Sequence, residues 1–436
     1  MRSHRTLLLA TAALLTVVPI AAHGQATKAA PRSTTSELLR NGFAVSRLAR
    51  IDSLLDASVR NEQITGAVAL VLRDDAVVYE RAVGWADREA KRAMKPDALF
   101  RIASQSKALT STAVMMLVEQ GRLTVSDPAS QFISTFGRTT VASRVDSTAP
   151  TAPARRQITI RDLLTHTAGI SYGTDVGVAS RYAEKGLGPA AGYGWYTADK
   201  DEPVCETMSR LGTLPFVSQP GESFVYGYNT DILGCIVEKA SGVPLDSFIR
   251  TRITAPLGMR DTYFFVPPSA TSRLTTVYMS NAEGRSVRAP DGARGQGHYV
   301  DGPRRNFAGG AGLVSTARDY ARFLTMIANG GRANGKMLLA PHTVRLMTTN
   351  QIGTTYSSNG AMGFGFGFEV TQRYGANGMA SEGSFGWGGA YGSTYLVDPV
   401  EGLVIVFMVQ QLPNRSDVAA RFRTLVYQAL ATSRTP

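Results

Sequence analysis

Ser104 and Lys107 are the two residues of this chain whose types and spacing could do covalent chemistry. They bracket Ser104-Gln105-Ser106-Lys107, where a strand-like run gives way to a helical pattern. On a helix, positions three apart share a face. A serine in the first turn meets free backbone amides and the positive end of the helix dipole, which favour developing negative charge. Its hydroxyl attacks poorly until a base takes its proton. An amine one turn deeper loses hydration, and desolvation favours the neutral form that accepts a proton. The pair thus supplies a nucleophile and a base. Taken alone the spacing is weak, because a helix-capping serine with a surface lysine reads the same way.

Other chemistries leave no mark. There is no Gly-x-Ser-x-Gly turn and no His-Glu-x-x-His pair. Setting aside His4 and His23 near the N-terminus leaves His166, His298 and His342, and no spacing among them marks a Ser-His-Asp triad. Cys205 and Cys235 are too few for a structural metal cluster. They either pair as a disulfide or stay as buried thiols. No metal and no organic cofactor is expected.

The elements that must position the pair follow from periodicity. Leu38, Leu39, Phe43, Leu48, Ile51, Leu54, Leu55 and Val59 recur at helical spacing and predict a helix over 38–60. β-Branched runs over 66–73 and 77–84, parted by Asp74-Asp75, predict a hairpin, and 98–102 a third strand. From Ser104 the pattern is helical to about Gly121, and 158–166, 230–241, 245–253 and 317–330 also read as helices. Strand composition returns at 363–370, 393–397 and 403–409, before a terminal amphipathic helix over 417–432. Strands at both ends with helices between imply an α+β fold. One antiparallel sheet from 38–103 and 305–436, flanked by the terminal helices, would face a mainly helical lobe from 104–304, with the active site in the cleft. Residues 171–204 carry no period and read as a long loop. Their Tyr182, Tyr193, Trp195 and Tyr196 suggest a lid or pocket wall, or an aromatic patch packed on the helical lobe.

Composition narrows the setting. With 44% apolar and 18% charged residues the 436-residue chain is globular rather than disordered. Arg2 and Arg5, an apolar run over 7–22 and small residues at Ala22, Gly24 and Ala26 make the pattern of a secretory signal over 1–26. An exported protein, periplasmic or secreted, is expected. No later segment is apolar enough to span a membrane. The formal net charge is +12, but no block of five like charges and no nucleic-acid motif occurs. The basic balance therefore reads as a solvated surface, with a small molecule and not nucleic acid as partner. Nothing sets an oligomeric state.

Phe100-Arg101-Ile102-Ala103-Ser104-Gln105-Ser106-Lys107 resembles the nucleophile segment of serine β-lactamases and penicillin-binding proteins. Further likenesses follow in order. Residues 158–170 (ITIRDLLTHTAGI) and Phe224-Val225-Tyr226-Gly227-Tyr228, followed by Asp231-Ile232-Leu233-Gly234, resemble the helix-and-turn and the tyrosine motif of the class C branch. Pro256-Leu257-Gly258-Met259 and Gly309-Gly310-Ala311-Gly312-Leu313 also fit. Gly386-Trp387-Gly388-Gly389, leading to Val397-Asp398-Pro399, resembles the third active-site element. The likeness covers roughly residues 45–430. It implies a two-lobed α+β fold and an acyl-enzyme on Ser104, with Lys107 and Tyr226 sharing the proton transfers. The amides of Ser104 and Ala390 would form the oxyanion hole, and Trp387, Gly388, Gly389 and Tyr228 would meet the substrate. His166 reads as a structural turn residue.

Two departures bear on the substrate. Penicillin-processing relatives carry Tyr-x-Asn, whereas Tyr228 stands two places after Tyr226 here and Asn229 comes one place late. Their third element usually begins with lysine, which helps hold a substrate carboxylate. Trp387 offers an apolar wall and one N–H donor instead. The Trp-Gly-Gly form resembles family VIII carboxylesterases and related acyltransferases. It favours short to medium uncharged esters over β-lactams or D-amino acid peptides.

Overall fold

A computed structural model describes residues 39–143, 150–192, 196–292 and 295–434, and its frame is an eight-stranded antiparallel sheet. Helix α1 (Val45–Arg60) leads into β1 (Gly66–Arg73), β2 (Ala76–Asp87) and the short β3 (Arg92–Ala93). The middle of the chain supplies α2 (Ser106–Glu119), α3 (Ile160–Leu164), α4 (Val204–Leu211), α5 (Asn229–Ser241) and α6 (Ala317–Ala328). The chain returns through β4 (Met362–Phe364), β5 (Glu369–Thr371), β6 (Phe385–Gly388), β7 (Thr394–Asp398) and β8 (Leu403–Val409). It closes in α7 (Val418–Ala429). Strand order is β4-β5-β6-β7-β8-β1-β2-β3. The two chain ends meet where β8 pairs with β1, from Leu403 opposite Arg73 to Val409 opposite Ala67.

Alternation explains why this sheet is covered on both faces. In β1, Ala67, Ala69 and Val71 join one apolar core and Val68 and Leu70 another; in β8, Leu403, Ile405, Phe407 and Val409 join the first and Val404, Val406 and Met408 the second. Successive side chains point to opposite faces, so β8 and residues 67–72 of β1 are apolar without a break. The first core takes Leu48, Ile51 and Leu55 from α1 and Phe422 and Val426 from α7. The second is continuous with α2, α5 and α6, so the sheet and the central helices share one interior. The fold class is α+β, with the sheet built from both chain ends.

Several local readings change. Residues 38–60 are not one helix: Leu39–Arg40 and Phe43–Ala44 pair around the left-handed Asn41-Gly42 turn before α1 starts. The strand expected over 98–102 reduces to Phe100–Arg101, which pairs with Val314–Ser315 outside the main sheet. The run 363–370 is two strands, β4 and β5, bent at Gly365-Phe366-Gly367. A side chain at Gly365 would collide with the Met347 carbonyl, and Gly367 holds φ at +93°. Of the two cysteine readings the disulfide is found, joining Cys205 of α4 to Cys235 of α5. Among the described residues no helix is long and apolar enough to cross a membrane. The signal over 1–26, Tyr193 and Trp195 lie outside the described residues.

Candidate active site

Ser104 sits in a 3-10 turn, Ala103–Gln105, that runs into α2. The turn begins from a strained residue. Ala103 holds φ at +46°, a left-handed conformation that a residue with a Cβ rarely adopts. The neighbouring Ile102 amide donates to the Leu313 carbonyl at 3.0 Å, and the Leu313 amide donates to Ser106 Oγ at 3.0 Å. Ser106, the middle hydroxyl of the motif, therefore ties α2 to the segment ahead of α6.

Lys107, the second residue of α2, is buried, and its nitrogen donates to three acceptors. These are Ser104 Oγ at 3.3 Å, the Tyr172 hydroxyl at 2.9 Å and the Gly310 carbonyl at 2.7 Å. A lysine nitrogen has at most three N–H bonds, so the set is complete. The same nitrogen lies 4.6 Å from the centre of the Tyr226 ring. Gly310 is fixed in turn by Asp231 on α5, whose Oδ1 accepts from the Gly310 amide at 3.0 Å. Burial pushes the Asp231 carboxyl up to about 6, opposed by the charge of Lys107 and the Gly310 amide. Burial, then the neighbouring Tyr226 and Asp231, hold the Tyr172 phenol well above its ordinary value, so it stays protonated.

Tyr226 stands on the loop before α5, and Trp387 Nε1 on β6 donates to its hydroxyl oxygen at 3.1 Å. The loop fits because Gly227 presses its backbone against Ile170 and Ser171, where a side chain would collide. His166 supports the ring from behind at a centroid distance of 4.7 Å. Its Nδ1 meets Asn229 Nδ2 at 2.9 Å, and its carbonyl accepts from the Val225 amide at 2.7 Å. Burial first and the Lys107 charge second keep the imidazole neutral. His166 acts as a support for the Tyr226 loop, in keeping with its reading as a turn residue.

A cavity of about 440 Å³ opens on these groups. Its lining includes Ser104, Tyr226, Trp387, Gly388 and Ala390, and extends to Glu369, Asn377 and Arg423. A side chain at Gly389 would collide with the Ile102 carbonyl, so glycine lets the β6–β7 turn lie against the Ser104 segment. The Ala390 amide that follows has no partner among the described residues. Behind Trp387 runs an aromatic stack: Phe364 at 5.4 Å, Phe224 at 5.1 Å from Phe364, and Tyr356 at 4.8 Å from Phe224. Among the described residues no group of three or more His, Cys, Asp or Glu side chains is placed to hold a metal ion.

The structure thus brings Ser104, Lys107, Tyr226, Trp387, Gly388, Gly389 and Ala390 together. It does not bring Tyr228 to the cavity. Tyr228 is 1% exposed, its hydroxyl accepts from the Gly188 amide at 3.0 Å, and its ring packs on Tyr172 and Tyr182. The chain enters α5 at Tyr228, and the helical turn swings that side chain into the core. Asn229 is spent likewise, donating to the Ile170 and Val225 carbonyls. Tyr182 and Tyr196 are buried too, the latter donating to Asp199 at 3.1 Å. Sequence reasoning did not single out Tyr172, Asp231 or Arg423 for the site. Tyr172 stands three residues past the Thr167-Ala168-Gly169 turn, a placement with no chemical signature of its own.

A family model described as Beta-lactamase matches residues 51–429. Esterase EstB of Burkholderia gladioli is 34% identical over 381 residues, covering 84% of this chain and 91% of the relative. Among solved structures, EstCE1, described as a hydrolase with promiscuous acyltransferase activity, matches with a TM-score of 0.73 at 27% identity, over 88% of this chain and 98% of that one. Simvastatin synthase (LovD) from Aspergillus terreus has a TM-score of 0.73 over the same shares at 22% identity, a likeness of fold alone. With the matched region spanning both chain ends of the sheet and the whole of the cleft, this chain belongs to the Beta-lactamase family and is a hydrolase of that fold.

Proposed function

We propose that the protein is a serine hydrolase that works through an acyl-enzyme on Ser104, and that its substrates are carboxylic esters with short to medium acyl groups. The observation that carries this reading is the Lys107 nitrogen at 3.3 Å from Ser104 Oγ, buried and held by two further acceptors. Tyr172 and the Gly310 carbonyl hold such a base within reach of the Ser104 hydroxyl. In its neutral form Lys107 takes the Ser104 proton as Oγ adds to the ester carbonyl. The amides of Ser104 and Ala390 receive the oxyanion. The tetrahedral adduct collapses to acyl-Ser104, and the leaving alcohol is protonated through Tyr226. A water molecule, giving its proton to the same pair of groups, then releases the acid and restores Ser104.

Ester is favoured over lactam by Trp387, which replaces a cation with an indole already engaged by Tyr226. The likeness to EstB, named an esterase, points the same way. Transfer of the acyl group to an alcohol is a second outcome of the same intermediate, favoured by the likeness to EstCE1. Export is part of the proposal. It rests on the pattern of residues 1–26 and on the Cys205–Cys235 disulfide, which suits an oxidising compartment.

The test is kcat/KM for p-nitrophenyl butyrate and for a chromogenic cephalosporin on one preparation, with Ser104→Ala as the blank. The expected result is a preference of at least about 100-fold for the ester, lost in the variant. A preference for the cephalosporin would make the protein a β-lactamase, with another group replacing the absent lysine.

A further inference from the structure

The far end of the cavity holds a cation that ester hydrolysis at Ser104 does not use. Arg423, on α7, lines the same cavity as Ser104 and Trp387. It is half-buried, and the cost of that burial weakens its hold on its proton. Among the described residues it makes one hydrogen bond, from Nη1 to Asn377 Oδ1 at 3.2 Å. Glu369, also in the lining, attracts it but forms no ion pair with it and accepts the Tyr356 hydroxyl instead. Three other half-buried or buried arginines are met by carboxylates, Arg73 by Glu401, Arg210 by Glu202 and Arg273 by Asp261, and the buried Arg101 donates to the Gln296 and Thr275 carbonyls. A guanidinium carries five N–H donors in a planar fork that matches a carboxylate. Among the described residues most of that fork at Arg423 has no partner.

Gly388 of β6 lines the cavity together with Ser104 and Arg423. A Cβ built at Gly388 would find its nearest neighbour, the Ser393 carbonyl oxygen, at 3.4 Å, an ordinary contact. Gly388 is also absent from the residues with positive φ. Neither packing nor backbone conformation demands glycine there, and the missing side chain leaves room in the cavity.

We propose that Arg423 is the recognition point for a carboxylate carried by the ester that Ser104 attacks. The inference rests on the ester-hydrolase reading and narrows its substrate class. The substrates are half-esters of dicarboxylic acids, or esters of a carboxylated alcohol, with an apolar spacer between the ester and the acid. The cation that Trp387 removes from beside the reacting carbonyl is supplied further along the cleft.

Two series of probes test this. One is the mono-p-nitrophenyl esters of dicarboxylic acids from glutarate to sebacate, each against the methyl-ended ester of equal length. The other is 4-carboxyphenyl butyrate against phenyl butyrate. The expected result is at least one pair in which the carboxylated member has the higher kcat/KM by about 10-fold or more. That ratio should fall at least 10-fold in Arg423→Gln, chiefly through KM, and be partly kept in Arg423→Lys. In parallel, calorimetric binding of suberate and of 4-carboxyphenyl butyrate to the Ser104→Ala protein should weaken at least 10-fold when Arg423→Gln is added. Hydrolysis of the neutral esters with no carboxylate preference in either series, or a preference that survives Arg423→Gln, overturns the role of Arg423 and leaves the esterase reading standing. If no ester is hydrolysed the esterase reading fails, and the binding measurement alone then decides for or against Arg423 as a carboxylate site.

Discussion

At the Ser104 end of the cleft, Lys107 has three acceptors for its three N–H bonds, whereas at the Arg423 end a guanidinium with five donors meets one amide oxygen. The first end is closed in on itself. Lys107, Tyr172, Gly310 and Asp231 form a connected set in which each group fixes the next, and Ala103 and Gly389 hold the backbone around Ser104. The second end is half-buried but thinly coordinated. The difference teaches what each cation is for. A group that must act on one atom is held from all sides. A group that waits for a ligand keeps its donors available and bears the cost of desolvation until the ligand arrives.

The comparison can be broken at the closed end first. Lys107→Gln keeps a donor toward the Gly310 carbonyl but removes the base, and kcat/KM for p-nitrophenyl butyrate should fall by about 10³-fold or more with little change in the thermal midpoint. A loss of less than 10-fold would mean that another group takes the Ser104 proton. The link between the ends is sharpened by Gly388→Val. A branched side chain in the cavity should cut any preference for carboxylated esters by roughly 10-fold, a steric effect of the kind that excludes one or two methylenes. An unchanged preference would show that the substrate reaches Arg423 by another route.

The smallest effect concerns Asp231. Its carboxyl is raised from 3.8 to about 6 in the folded protein. The folded state therefore holds this proton more tightly than the unfolded chain does. The resulting stabilisation is full below about pH 4 and is lost as pH rises through 6, with a total on the order of 2–3 kcal/mol. Asp231→Asn keeps an acceptor for the Gly310 amide and cannot ionise. Between pH 4 and pH 7 it should lose less stability in urea titrations than the parent does. Parallel losses in both proteins would show that the carboxyl is not the group that titrates.

Much of the closed end was legible because it is local in sequence. Ser104 and Lys107 lie one helical turn apart, and the Asp74-Asp75 turn with its flanking alternation marks a hairpin that is found. The chemistry-bearing residues that escaped notice come from far along the chain. Tyr172 is 65 residues from Lys107 and Gly310 is 203 from it, so only the packed fold puts them on one nitrogen. Arg423 looks like any surface arginine of an amphipathic terminal helix until α7 lies across the sheet. Tyr228 belongs to the tyrosine motif in the sequence, but as the residue that caps α5 it is buried against Tyr172 and Tyr182, while Tyr226 stays on the loop and lines the cavity. At 363–370, strand-forming composition concealed a bend that two glycines permit.

The left-handed Ala103 sets a limit on how this protein can be hardened. A residue with a Cβ in that region costs on the order of 1 kcal/mol relative to glycine, so a screen that rewards heat resistance has a reason to favour Ala103→Gly. The same change would free the backbone next to Ser104 to sample other conformations, and a hydroxyl displaced by an ångström from its base is a poorer nucleophile. At this one position, selection for endurance and selection for turnover pull in opposite directions.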